Sequence, residues 1–170
     1  MKYVKEVKDH DIQGLKEVIL DPFYDNRGEI WSIYEDCELF PKFVEDKIYI
    51  SKKNVIRGLH GDEKTGKLIS CLSGELYLAI VDFRKDSKTY LGKKCFRLSD
   101  NQPKLIYVPP GCLNGHLSLS DKCLFYYKWT KKYMGPESQV TIKWDDPVLN
   151  IPWPTTNPLI SKRDKEGVLL

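Results

Sequence analysis

Nine short segments rich in Tyr, Ile, Val, Phe and Trp recur along the chain, each closed off by turn-forming residues. They read LKEVILDPFYD, EIWSIY, KIYISKKNVIRGLH, KLISCLSGELYLAIVDF, KKCFRL, KLIYVPPG, HLSLS, KCLFYYKWT and QVTIKW. β-branched and aromatic side chains suit a pleated, half-buried surface, so these segments are expected to be strands. Gly28, Gly74, Gly92 and the run Pro109, Pro110, Gly111 mark turns between them. Helical periodicity is confined to short pieces such as EDCELFPKFVEDK. So many strands at close spacing predict an all-β sandwich or barrel of jelly-roll type, whose open mouth can hold a ligand. The tail, DDPVLNIPWPTTNPLISKRDKEG, carries too many prolines for a central strand. It is expected to wrap over the surface as irregular chain. Trp153 and Leu159 would dock it, and its polar end would carry Arg163 and Asp164 to a site elsewhere.

With no repeat and no linker, the 170 residues predict a single domain, 1–170, large enough to bury a core without staples. A net charge of +3, with lysines interleaved among acids, describes a solvated surface and gives no nucleic-acid footprint. Cys37, Cys71, Cys95, Cys112 and Cys123 are odd in number and widely spaced, so neither a zinc site nor a disulfide framework is expected. The opening MKYVKEVKDHDIQ lacks the apolar run of a signal peptide, and LYLAIV is too short to span a bilayer. The expectation is a soluble cytoplasmic protein with reduced thiols and no membrane partner.

The stretch NVIRGLHGDEKTGK holds the first chemical candidates. His60 alone reads as a half-buried histidine satisfied by backbone. Arg57 precedes it, Gly58 permits close backbone approach, and Lys67 follows DEKTG, which is expected to turn the chain back antiparallel. One imidazole between two cations suits an anionic substrate and an anionic intermediate, and the cations keep the imidazole neutral. A metal would want two or three histidines with a carboxylate. RGLHGD offers one, His116 with Glu75 or Asp82 has no close pairing, and no metal is expected. In CLFYYKWTKKY, Tyr126, Tyr127 and Tyr133 read as barrel-wall aromatics. Alternation turns only one of Tyr126 and Tyr127 inward, and an inward Tyr127 would make an acid–base pair with His60. Asp164 either closes a capping box with Ser161 or orients a base. Asn114 and His116, two apart, share one side of a strand unless the asparagine serves a turn.

In order along the chain, FYDNRGEIW, KKNVIRGLH, GKLISCLSGELYLAIVDFRKDSKTYLG, LSDNQPKLIYVPPG, YYKWTKKY, IKWDDPVLNIPWP and LISKRD resemble the nucleotide-sugar 3,5-epimerases typified by dTDP-4-dehydrorhamnose 3,5-epimerase. The resemblance spans nearly the whole chain. It implies a cupin-type jelly-roll barrel with short helices, no cofactor or metal, and a homodimer that exchanges N-terminal elements. The implied substrate is a nucleotide-diphosphate-linked 4-keto-6-deoxy sugar. A base removes a hydrogen beside the ketone, an enolate forms, and an acid returns a proton to the opposite face. By the same resemblance His60 is the base, Asp164 its orienting carboxylate, Lys67 the enolate stabiliser and Tyr127 the acid. Arg57 and Arg27 match diphosphate-binding arginines, with Arg27 reaching across the dimer. Phe23 matches an aromatic at the nucleotide base, Tyr133 a pocket tyrosine, and Arg163 a basic neighbour of the aspartate.

Departures from the family pattern fall on pocket positions. In GCLNGH, Asn114 replaces a histidine and His116 stands where an aromatic is usual; Ser32, Glu45 and Lys47 also differ. These changes bear on the nucleotide and on which carbons react. RGEIW, GLHGDEKTGK and the asparagine before GH resemble a branch acting on GDP-linked 6-deoxy-4-keto-heptoses for bacterial capsules, with dTDP-hexose and CDP-sugar substrates open beside it. The expected activity is epimerisation at C3, C5 or both. A C3-only or C5-only epimerase and a catalytically silent nucleotide-sugar-binding barrel are the alternatives, and a metal-dependent cupin oxygenase stands further off.

Overall fold

The computed structural model describes residues 3–170. Thirteen strands follow one another: Val4–Asp9 (β1), Lys16–Leu20 (β2), Phe23–Asp25 (β3), Gly28–Ile30 (β4), Glu45–Lys52 (β5), Ile56–Gly61 (β6), Lys67–Ser73 (β7), Glu75–Asp82 (β8), Lys93–Ser99 (β9), Lys104–Val108 (β10), Cys112–Ser118 (β11), Lys122–Trp129 (β12) and Val140–Thr141 (β13). A single α-helical turn, Lys162–Lys165 (α1), and a 3-10 turn at Pro136–Ser138 are the helical elements among the described residues. One sheet runs β1-β2-β10-β7-β12-β5 and the other β13-β6-β11-β8-β9; β3 and β4 form a separate hairpin. Every pairing between strands is antiparallel.

Alternation along the strands explains the core. Ile69 and Cys71 of β7, Ile106 and Val108 of β10, and Leu76, Leu78 and Ile80 of β8 fill the space between the sheets. The intervening Leu68, Leu105 and Tyr107 point outward beside Val18 and Leu20 of the neighbouring β2, and Phe40 with the partly buried Trp31, Ile33 and Phe43 packs against them. Ala79 and Val81 of β8 face outward under Leu149, Ile151 and the partly buried Trp153 of the tail. Sheets covered on both faces read as continuous apolar runs, which is why LYLAIV and KLISC lack a polar face.

One strand went unread and four expectations need correction. The charged N-terminal stretch contains β1, an edge strand registered Val7↔Val18 on β2, with most of its side chains exposed. EDCELFPKFVEDK forms no helix. Pro41 interrupts it, Phe40 and Phe43 pack together at 6.2 Å, and Phe40 meets Tyr107 at 5.7 Å. EIWSIY leaves the strand after Ile30, and HLSLS belongs to a strand that starts earlier, at Cys112. DEKTG does not fold β7 back onto β6; it carries the chain across to the opposite sheet, so the two strands face each other over the barrel interior.

The tail docks, though not in every detail as expected. Trp153 Nε1 donates to Trp144 O at 2.7 Å, and its ring meets Tyr77 edge-on at 5.7 Å. Leu159 is held by its backbone, donating to Asn54 O at 2.7 Å and accepting from Ile56 N at 3.0 Å, while its side chain is exposed. All five cysteines are free thiols, with Cys71 and Cys123 Sγ 3.9 Å apart in the core. Among the described residues no helix is long and apolar enough to cross a membrane.

Candidate active site

A cavity of about 180 Å³ opens inside the barrel. Its two walls come from the two sheets. β6 and β11, paired Asn114↔His60 and His116↔Arg57, supply one; Lys67 of β7 with Phe125, Tyr127 and Trp129 of β12 supplies the other. The close fit of β6 against β11 depends on Gly58. Its φ is +114°, and a Cβ there would stand 2.6 Å from Asn114 O and 2.6 Å from Gly115 Cα.

His60 Nε2 lies 2.6 Å from Asp164 Oδ1, a contact made across 104 residues by the docked tail. Ser161 caps α1 by accepting from Asp164 N at 3.1 Å; only this half of the expected capping box forms, because the Asp164 carboxylate meets His60. Burial would raise the Asp164 pKa, but the bonds from His60, Ser161 and the Gly58 N–H outweigh it and hold the carboxyl below its usual range. An ionised Asp164 fixes the hydrogen on Nε2, leaving the Nδ1 lone pair of His60 free to accept a proton. Burial also holds His60 below the ordinary imidazole range. Asp164 pulls it upward, and Arg163 and Lys67 push it down.

Lys67 is buried, donating to Asn114 Oδ1 at 2.7 Å and to His60 O at 3.2 Å. Burial lowers its pKa to about 8, with Arg163 and Lys47 adding to the fall. Tyr127 comes from the sheet facing His60, and its ring stacks on Tyr49 at 5.4 Å and on Trp129 at 5.3 Å. Burial, with Tyr49 beside it, raises its pKa well above a free phenol, so it stays protonated. Arg57 Nε donates to Ser51 Oγ at 3.2 Å, and its guanidinium lies 5.2 Å from the Tyr49 ring centre. Arg163 is tied to Thr141 Oγ1 at 3.0 Å and Pro136 O at 3.2 Å, and Tyr133 carries Lys47 over its ring at 4.0 Å.

The cavity therefore gathers His60, Lys67, Tyr127, Asp164, Arg57, Asn114, His116, Tyr133 and Arg163, nine of the residues singled out from the sequence. It does not gather Phe23 and Arg27. They sit on the β3–β4 hairpin, where Phe23 is 56% exposed and Arg27 pairs with Asp25 at 2.6 Å. Tyr49, Phe125, Trp129 and Gln139 also line the wall and were not anticipated as site residues. Alternation along LFYYKW would have found Phe125 and Trp129 beside Tyr127. Tyr49 arrives through the pairing of β5 with β12, which sequence does not display, and Gln139 has no signal at all. Among the described residues, no three His, Cys, Asp or Glu side chains are grouped to hold a metal ion.

A model of the dTDP-4-dehydrorhamnose 3,5-epimerase family matches residues 9–170. The chain belongs to that family. It is an isomerase with the family's jelly-roll barrel. The dTDP-4-dehydrorhamnose 3,5-epimerase of Methanothermobacter thermautotrophicus is 36% identical over 160 residues, covering 87% of this chain and 86% of that protein. The dTDP-4-dehydrorhamnose 3-epimerase of Streptomyces niveus is 31% identical over 169 residues, 94% of this chain and 81% of its own. Among solved structures, the dTDP-6-deoxy-D-glucose-3,5-epimerase of Legionella pneumophila in complex with dTDP-4-keto-L-rhamnose superposes with a TM-score of 0.91 at 31% identity, covering 96% of this chain and 92% of that one.

Proposed function

We propose that the protein epimerises a nucleotide-diphosphate-linked 4-keto-6-deoxy sugar at C3, C5 or both through an enolate. The observation that carries this reading is the 2.6 Å contact of His60 with Asp164, facing a buried Lys67 and an opposite-wall Tyr127. His60 Nδ1 takes the hydrogen from the carbon beside the ketone, and the bonding electron pair moves onto the C4 oxygen. The Lys67 ammonium lies where that negative charge develops, in a water-poor site where such stabilisation is strongest. Tyr127 then donates its phenolic proton from the other side, which inverts the carbon. Arg57 takes the diphosphate end, and Arg163 stays beside Asp164 at the base.

The relatives' names set dTDP as the first nucleotide to try. Asn114 and His116, which differ from the family pattern, favour trying GDP beside it, including a 6-deoxy-4-keto-heptose of capsule synthesis. The Streptomyces niveus relative, named as a 3-epimerase, keeps single-carbon epimerisation as the second reading. We further propose that the protein works in the cytoplasm, where nucleotide sugars are made, and as a homodimer in which the partner's hairpin brings Phe23 and Arg27 to the nucleotide. The test is proton NMR in deuterium oxide with 4-keto-6-deoxy sugars on dTDP, GDP and CDP. Deuterium entering at C3 or C5 supports an epimerase and names the carbons. Binding of one sugar nucleotide with no exchange would replace it with a silent binding barrel.

A further inference from the structure

His116 is almost wholly buried yet lines the catalytic cavity, and its Nε2 has no hydrogen-bond partner among the described residues. Its ring stacks on Phe125 with centroids 4.0 Å apart and planes 7° from parallel. A phenyl ring would fill that stack equally well, so the imidazole contributes nothing to packing that an apolar ring would not. What it adds is a polar edge, and a buried polar atom left unpaired destabilises the folded protein unless something binds it. A ligand entering the cavity is the partner that the protein itself does not supply.

The strand register says which part of a sugar that would be. β11 meets β6 in two layers, Asn114 opposite His60 and His116 opposite Arg57. The first layer holds the base and, through the 2.7 Å bond from Lys67 to Asn114, the enolate oxygen, so C3, C4 and C5 belong there. The second holds the arginine assigned to the diphosphate. A sugar that reaches from one layer to the other brings past His116 one of the two arms joining C4 to C1, and of these only the C2 arm carries a hydroxyl that can both donate and accept. This step rests on the function proposed above.

We propose that His116 is a specificity-determining residue that holds the C2 hydroxyl of the substrate's sugar ring. Burial, with Arg57 and His60 nearby, lowers the His116 pKa to about 3, so the ring is neutral and offers one donor and one acceptor. The charged and titratable groups around it are Arg57, His60 and Asp164, and none of them bonds its Nε2.

The experiment compares initial deuterium exchange on dTDP-4-keto-6-deoxy-D-glucose and on its 2-deoxy counterpart, both also prepared on GDP. Wild-type protein is expected to slow by about ten- to a hundred-fold when the hydroxyl is missing. His116→Phe should bring the two rates to within about threefold of each other, and His116→Gln, which can still pair with a hydroxyl, should retain part of the preference. His116→Met replaces the phenylalanine variant if that one fails to fold. A preference undiminished in the apolar variant overturns the assignment, and so does an equal loss on both sugars, which would mark a packing role. Wild-type exchange without any preference overturns it while leaving the epimerase reading intact. No exchange on any of the four compounds, with none on the CDP sugar or the heptose either, overturns both.

Discussion

Lys67 Nζ donates to Asn114 Oδ1 at 2.7 Å, joining two buried side chains whose strands form opposite walls of the cavity. The ammonium's acceptors, Asn114 Oδ1 and His60 O, are uncharged, no carboxylate among the described residues pairs with it, and burial brings its pKa down to about 8. Stabilising an enolate needs the charged form, so kcat/KM should fall as pH rises through about 8. Asn114→Asp sets a negative charge against the ammonium, raises the lysine pKa and moves that limb to higher pH. Asn114→Leu removes the acceptor and moves it lower. Exchange rates across roughly pH 6–10 read both shifts, and a limb that neither variant moves belongs to another group.

Asp164→Asn keeps the shape of the side chain but removes the charge that draws the His60 pKa upward. The imidazole also loses the partner that fixes its tautomer. Turnover should drop by about 10²- to 10⁴-fold, as when a catalytic histidine loses its carboxylate. The acid limb of kcat/KM, already below the ordinary imidazole range, should move further down. An unchanged limb would mean that some other group serves as the base.

Tyr127→Phe should separate two events that wild-type protein joins. His60 can still remove a hydrogen and return a deuteron to the same face, so exchange without inversion persists. Inversion needs a donor on the facing wall, and net epimerisation should fall by about 10²- to 10⁴-fold. Loss of exchange and of inversion in equal measure would show that Tyr127 acts on the enolate itself.

How far the sequence reached follows from what each residue depends on. The strands were legible because their side chains are local in character, and the pairing of Asn114 with His116 followed from a period of two. His60 and Asp164 are joined across 104 residues, and nothing local announces that contact; the family resemblance supplied it. The DEKTG turn misled because hairpin return and sheet crossover share the same turn chemistry, and only burial on both sides of β7 decides between them. β1 went unread because its side chains are mostly charged and its partners lie on β2.

Gly58→Ala tests whether the cavity depends on the contact of β6 with β11. The new Cβ would meet backbone atoms at 2.6 Å, at a φ of +114° that L side chains avoid. Backbone cannot swing aside as a flexible side chain can, so the loss should be at least about 2 kcal/mol, or roughly 4–8 °C in Tm. Gly28→Ala is the comparison, since its φ of +132° is also unusual but nothing stands within 4 Å of the added carbon. It should cost clearly less in a thermal melt. Equal losses would reduce the role of Gly58 to backbone conformation alone.

Two site candidates lie outside the cavity of the single chain. Phe23 and Arg27 stand on an exposed hairpin, and the outer face of edge strand β5 presents Ile48 at 57% and Ile50 at 59% exposure. In register with them on β12 are Tyr126 and Leu124, so an apolar strip runs across two strands. A second copy covering this strip would bury it and offer its hairpin to the neighbouring cavity, as proposed for the dimer. Arg27→Ala and His60→Asn should each be nearly inactive alone. Mixed and allowed to exchange subunits, they form heterodimers in which one cavity has both its own His60 and the partner's Arg27. Activity should then rise well above the sum of the two parents, to about a quarter of wild type at equal mixing. Light scattering that gives a monomer, or mixing that restores nothing, would confine Arg27 to its surface pair with Asp25.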